Sequence, residues 1–290
     1  MWGNVLVYGV INSATFILLT LGFSIVFGIS RIANFAYGAF YLSAGYLTWV
    51  FLTKANLPLF LALPLTILIM GVLGFMGYWV MIYRIRGNTL SEVIATFALG
   101  VGILEFFRWM GFVTYEFSLP FLKKGTIEIV GIPLDYQRLL IVLIAGGLLA
   151  FLYFYTHHTR IGRAFRAIAQ NERTAISLGI NSDFIGALSF SLGTAVTAIA
   201  AVTVLPLGII TINIGYEVLL TAMAVGIIGG LESIIGIVIA SFILGFAQVL
   251  AAIYIAPHWS IVVILASILG VLLVRPSGIF GKYKELEERV

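Results

Sequence analysis

YEVLLTAMAVGIIGGLESIIGIVIASFILGFAQVLAAIYIAPHWSIVVILASILGVLLV, residues 216–274, is an almost continuous apolar run. Glu217 and Glu232 are its only acidic residues, and it holds no Lys or Arg. One helix needs about 20 apolar residues to cross a hydrocarbon core of about 30 Å, so this stretch must contain several crossings. Glu232-Ser233 and Pro257-His258 are its natural breaks, which gives segments 216–231, 234–256 and 259–274.

The rest of the chain reads the same way. Further apolar segments fall at 5–28, 37–53, 57–83, 89–107, 139–156 and 184–208, making nine. No Lys or Arg precedes Arg31, so the first segment lacks the basic start of a signal peptide and reads as a retained span. Across the 290 residues, 61% are hydrophobic and 10% charged, where soluble domains carry about 25% charged residues. A soluble globule cannot hide that much apolar surface. The expectation is an all-α, polytopic transmembrane helical bundle of about eight to ten segments, forming a single domain over 1–290. Gly71, Gly74 and Gly77 mark one helix face that another backbone can approach closely. Gly226, Gly229 and Gly230 crowd the short segment 216–231, which suits either tight packing or a broken, re-entrant helix lining a path.

Counting basic residues on alternating sides orients the chain. With the N-terminus outside, the inner loops hold Arg31, Arg84, Arg86, Arg160, Arg163, Arg166, Arg173, Arg275, Lys282, Lys284 and Arg289. The outer side holds Lys54, Arg108, Lys123, Lys124 and Arg138, with 108–138 as the long external connection. Basic residues favour the cytoplasmic side, so the C-terminus is expected there. The excess charge of +4 belongs to those loops and gives no support to nucleic-acid binding.

The longest inner connection contains HHTRIGRAFRAIAQNERTAISLGIN, residues 157–181. Residues 160–178 suit a helix, with Gly179 and Asn181 to stop it. Ile161, Phe165 and Ile168 give one apolar face; Arg163, Arg166, Gln170 and Arg173 give a basic one. Such a helix rests on anionic lipid or docks a cytoplasmic partner. The mixed polarity of Gln170, Asn171 and Glu172 beside the stripe favours docking.

Enzyme chemistry is poorly supplied. No Lys is followed by Ser or Thr, so no phosphate-binding loop of the G-x-x-x-x-G-K-[ST] type exists and ATP hydrolysis would have to come from other chains. The histidines, His157, His158 and His258, form no H-E-x-x-H zinc motif, and there is no cysteine. No catalytic residue, metal site or cofactor is expected. Four acidic residues lie in or beside spans: Glu92, Glu105, Glu217 and Glu232. Glu105 pairs naturally with Arg108 at i, i+3, and Glu92 fits near Arg84 or Arg86. None is clearly at mid-membrane, which leans away from an ion-coupled secondary transporter, the alternative class.

Three stretches in order resemble the branched-chain amino acid permease family of ATP-driven importers. They are GFSIVFGISRIANFAYGAFYLSAGYL at 22–47, GRAFRAIAQNERTAISLGIN at 162–181, and LLTAMAVGIIGGLESIIGIVIASFILG at 219–245. Gly22, Gly28, Asn34, Ala36 and Gly38 carry the first match; VGIPLDYQRLLIVLIA at 130–145 adds a weaker one. Tyr37, where histidine is frequent, and Glu232, where glycine is common, depart from the pattern. The resemblance implies an inner-membrane permease paired with an identical or homologous second permease. It also implies ATP-binding subunits inside and a substrate-binding protein outside. It makes 160–181 the coupling loop, with Gly162, Arg163, Phe165, Arg166, Glu172, Arg173 and Gly179 at the ATPase interface. Asn34, Ser43, Asn213 and Thr221 are the expected polar residues of the translocation path.

Overall fold

A computed structural model describes residues 2–112, 118–129, 131–256, 259–275 and 278–281. The Pro257-His258 break, Glu116, Val130 and the basic residues Lys282, Lys284 and Arg289 lie outside the described residues. The order is α1 (Trp2–Ser30), α2 (Tyr37–Thr53), α3 (Leu59–Gly77), a π-helical turn Tyr78–Ile82 leading into α4 (Tyr83–Ile85), and α5 (Thr89–Phe107), which ends in a second such turn, Arg108–Phe112. Strands β1 (Thr126–Ile129) and β2 (Ile132–Asp135) follow, then α6 (Tyr136–His158), α7 (Arg160–Gln170), α8 (Glu172–Ser177), α9 (Ser182–Val204), a 3-10 turn Leu205–Leu207, α10 (Ile212–Gly229), α11 (Ile234–Tyr254) and α12 (Trp259–Val274).

Among the described residues, seven helices are long and apolar enough to cross a membrane. Two others, α2 and α12, have 17 and 16 residues and occupy the remaining segments read from the sequence. The chain is a polytopic helical bundle. Segment 216–231 is not broken internally: α10 is regular over 18 residues to Gly229, Gly230 ends it at φ +94°, and Gly226 and Gly229 pack closely on Leu231 and Gly236. The external connection adds a feature that apolar counting does not see, an antiparallel hairpin pairing Ile129 with Ile132, turned through Gly131 at φ +73°. Gln137, fully buried, ties it to the bundle by accepting from Leu122 N–H at 3.0 Å and donating to the Thr203 carbonyl at 2.6 Å.

Helix α1 is the centre. Of its most apolar window 72% is buried, against 22% for α6, which is peripheral. A β-carbon at Gly22 would lie 2.7 Å from the Gly193 carbonyl oxygen, so α1 and α9 pack backbone to backbone. Gly74 meets the Phe190 carbonyl and the Thr194 side chain of α9 as closely, and Gly71 lies at van der Waals distance from Ser191 and Ala195. Gly77, the third member of that strip, faces open space. Gly38 of α2 abuts the Gly215 carbonyl of α10, and Gly229 abuts Gly236 at the α10–α11 corner. Small residues at these crossings let dispersion act at short range, where lipid offers helices no hydrophobic drive to associate.

The two ends of the bundle differ in charge. Arg31, Arg84, Arg86, α7, α8 and Glu232 gather at one end, where Arg31 pairs with Glu232 at 3.7 Å and Arg86 reaches Glu172 and Asp183. Arg138, the hairpin and the end of α9 gather at the other, where Arg138 lies over the Tyr8 ring. Gly38→Ala should lower stability by about 1–3 kcal/mol through backbone overlap. Gly146→Ala, where a β-carbon meets nothing, should raise it by about 0.5–1 kcal/mol. Thermal unfolding of the two variants in detergent checks the opposite signs.

Candidate functional site

The expected helix over 160–178 is two helices. Asn171 divides them with extended backbone, φ −156° and ψ 109°, and its side chain accepts from Thr174 N–H at 3.0 Å. An asparagine followed by an acidic first turn is an N-cap signal that an unbroken helix overlooks. Thr159 caps α7 by accepting from Gly162 N–H at 2.9 Å, and Asn181 caps α9 by accepting from Phe184 N–H at 3.0 Å. Gly179 ends α8 at φ +84°: its N–H bonds to Ile176, and Ile180 N–H reaches back to Ala175, the paired bonds of a Schellman turn.

The buried face of α7 is Gly162, Phe165 and Ile168, not the Ile161 stripe; Ile161 is 40% exposed. Phe165 and Ile168 pack with Ala175 and Ile185 against Ile29, Tyr155 and Leu192, so the aromatic ring anchors the element to the bundle. Gly162 lies so close to the Tyr155–Thr156 backbone that a side chain would not fit. Arg163, Arg166 and Arg173 are exposed, as is Gly179. The basic surface therefore points away from the apolar anchor. Arg31 adds a strut, its guanidinium donating to the Ala169 carbonyl at 3.4 Å.

Glu172 turns inward. It accepts from Arg86 and from Ser182, while Arg86 also donates to Ser182 and Asp183. Tyr78 donates to the same Asp183 carboxylate at 3.3 Å. One guanidinium thus joins the α4 end, α8 and the start of α9. Burial opposes its charge, and the neighbouring Tyr78, Glu172 and Asp183 outweigh burial and hold its pKa above the usual arginine range. Beside it lies an open cleft of about 780 Å³. Pairing of Arg86 with residues far along the chain was not legible in the sequence. Glu92, expected near Arg84 or Arg86, is buried in the first turn of α5 and accepts at 3.1 Å from the N–H of Gly87, the residue after Arg86. Glu105 and Arg108 pair at 2.9 Å as their spacing predicts.

The four polar residues expected on a path do not converge. Asn34 is buried in the α1–α2 link and accepts from Ala36 N–H at 3.1 Å. Ser43 donates to Ala39 in its own helix at 2.7 Å. Asn213 is exposed in the first turn of α10, and Thr221 is buried midway along it. Two cavities flank α1 elsewhere. One, of about 470 Å³, lies at the Arg138 end; the other, of about 630 Å³, lies at the α7 end and reaches Arg166, His157 and Glu232. Neither is lined by any of those four residues.

Arg86→Met would leave Glu172 and Asp183 without their shared counter-charge. It should lower stability by about 2 kcal/mol and speed amide hydrogen exchange over residues 171–183. Adding Asp183→Asn should recover part of the loss, a coupling read by a double-mutant cycle.

A family model described as the permease component of branched-chain amino acid transport systems matches residues 5–272. The high-affinity branched-chain amino acid transport system permease protein BraD of Pseudomonas aeruginosa is 29% identical over 293 residues, covering 96% of this chain and 95% of that protein. The corresponding LivH of Escherichia coli is 28% identical over 94% of each. Among solved structures, PsaBC from Streptococcus pneumoniae in complex with Fab aligns over 95% of this chain and 94% of that one, with a TM-score of 0.50 and 14% identity, a likeness of fold alone. This polytopic membrane chain, matched along nearly its whole length, belongs to the branched-chain amino acid transport permease family.

Proposed function

We propose that the chain is the membrane permease subunit of an ATP-driven importer of branched-chain or related amphipathic amino acids. Its end with Arg31, Arg84, Arg86, Arg160, Arg163, Arg166, Arg173 and Arg275 faces the cytoplasm. The N-terminus then lies outside and the C-terminus inside. ATP-binding subunits dock on α7–α8, a second permease completes the unit, and an external binding protein delivers the solute. The observation that carries this reading is the α7 surface: basic and exposed on one side, locked on the other by Phe165 and Ile168.

An amphipathic helix held this way is suited to transmit force. A helix resting on lipid alone needs no rigid link to the bundle. Closure of the ATPase pair would press on α7 and α8 and shift the permease between outward-open and inward-open populations. Glu172 supports the site indirectly, by holding α8 to Arg86, and the docking contacts fall to Arg163, Arg166 and Arg173.

In proteoliposomes containing the permeases, ATPases and binding protein, leucine uptake should require ATP and ignore imposed proton or sodium gradients. Uptake by the permease alone on an ion gradient would reject the importer and favour a secondary carrier. Arg163→Glu should leave membrane insertion intact and lower ATPase co-purification several-fold. An undiminished complex would remove α7 from the interface.

A further inference from the structure

The cavity at the α7 end is floored by α1 and walled by α6 and α11, helices that both pack on α1 and not appreciably on each other. Its lining runs along α1 from Leu21 to Ile29, eight residues or about 12 Å of helix. One leaflet of hydrocarbon is about 15 Å thick, half of the core, so the cavity fits within a single leaflet.

Inside, the walls are apolar or already satisfied. Leu21, Ile25, Leu152 and Leu192 line the space. Ser24 donates to the Leu231 carbonyl at 3.1 Å and Thr156 to the Leu152 carbonyl at 2.8 Å, so neither hydroxyl calls for water. A volume of about 630 Å³ with such walls suits hydrocarbon.

The rim is different. Arg166 lines it, and among the described residues its guanidinium has no ion pair and no hydrogen bond. Glu232 lies at the same rim, but Arg31 pairs with it at 3.7 Å, so the charge left over is that of Arg166. Ile234 and Ile235, also in the lining, open α11. Their N–H groups have no acceptor among the described residues, because the Ser233 cap serves Gly236 N–H, at 3.0 Å. An occupant must therefore be long and apolar at one end and anionic at the other.

We propose that the α7-end cavity binds one anionic phospholipid of the cytoplasmic leaflet, its phosphate on Arg166 and an acyl chain along Leu21, Ile25 and Leu152. The charge of Arg166 selects the headgroup, and the apolar depth demands the chain, which a free phosphate ion lacks. Arg163 and Arg173 do not line the cavity and stay on the docking surface; Arg166 stands where that surface meets the bilayer. The lipid touches α1, α6, α7 and the start of α11, and so fills the wedge between α7 and the bundle. The site depends on this end facing the cytoplasmic leaflet, where anionic lipid is concentrated, and not on the transported solute or its energy source.

Palmitoyl-oleoyl phosphatidylglycerol or phosphatidylcholine, titrated into the full-length chain in a neutral detergent and read by native mass spectrometry, tests the site without ATP or solute. The first phosphatidylglycerol should bind about fivefold tighter than the first phosphatidylcholine, the preference that one arginine near a headgroup provides. Arg166→Gln should erase that preference. Arg160→Gln, the same charge change on the same helix but outside the cavity, should keep it. Ile235→Trp, at the exposed mouth, should weaken both lipids several-fold. A large excess of inorganic phosphate should displace no more lipid than sodium chloride at equal ionic strength. Equal affinity for the two lipids, or equal losses in Arg166→Gln and Arg160→Gln, would mean unselective surface lipid and overturn the proposal. Specific displacement by inorganic phosphate would make the rim a free-anion site and overturn it as well.

Discussion

Close backbone contact around α1 is the constraint on which the bundle rests. In lipid, apolar side chains gain little by exchanging one apolar neighbour for another, so association depends on dispersion at short range and on internal hydrogen bonds. The chain meets that need where side chains are missing: Gly22 on Gly193, Gly245 on Ser13, Gly38 on Gly215. Hydroxyls at the same crossings bond to backbone. Ser13 donates to Gly9 and Thr197 to Gly193 within their helices, while Thr194 reaches across to the Met70 carbonyl at 2.9 Å. The result is an inner set, α1 with α9 and α11, against which α6 and α12 sit as outer helices with largely exposed faces.

Charge is handled differently from apolar packing. Arg86 is half-buried beyond the end of α4, and its three acceptors come from two other elements. Water is displaced from part of each group, and the cluster retains its charges because every one has a partner. Arg31 plays a smaller version of the same part. It leaves α1 in the left-handed conformation, φ 55°, and links the Ala169 carbonyl to Glu232 at the turn into α11. Glu232, unusual for the family pattern, thereby has a local physical reason: it answers an arginine that terminates the central helix.

Apolar periodicity made the spans legible because the bilayer imposes a length on every crossing, and all nine segments contain helices. The hairpin at 126–135 escaped that reading because its strands are four residues long and alternate only briefly. The α7–α8 break was written in Asn171, a capping residue, yet the good helix formers around it outweighed one asparagine. Ile161 was assigned to the apolar face because spacing alone cannot choose between Ile161, Phe165, Ile168 and Gly162, Phe165, Ile168. The glycine wins because it admits the Tyr155 backbone. Long-range pairs such as Arg86 with Asp183, or Asn12 with Gln248, are set by three-dimensional packing and leave no local pattern.

The basic element and the central helix are physically joined. Phe165 and Ile168 pack on Ile29 near the end of α1, and the Arg31 guanidinium contacts α7 through Ala169 and the α11 entrance through Glu232. A load applied to the exposed arginines of α7 therefore reaches the two helices that wall both cavities. Those helices are packed backbone to backbone where Gly245 meets Ser13, so they cannot yield there by small continuous deformation; they can only move between discrete packings. In the proposed importer, that geometry carries one push from the cytoplasmic side to the central helix and to α11 together, with no need for a separate signal to each.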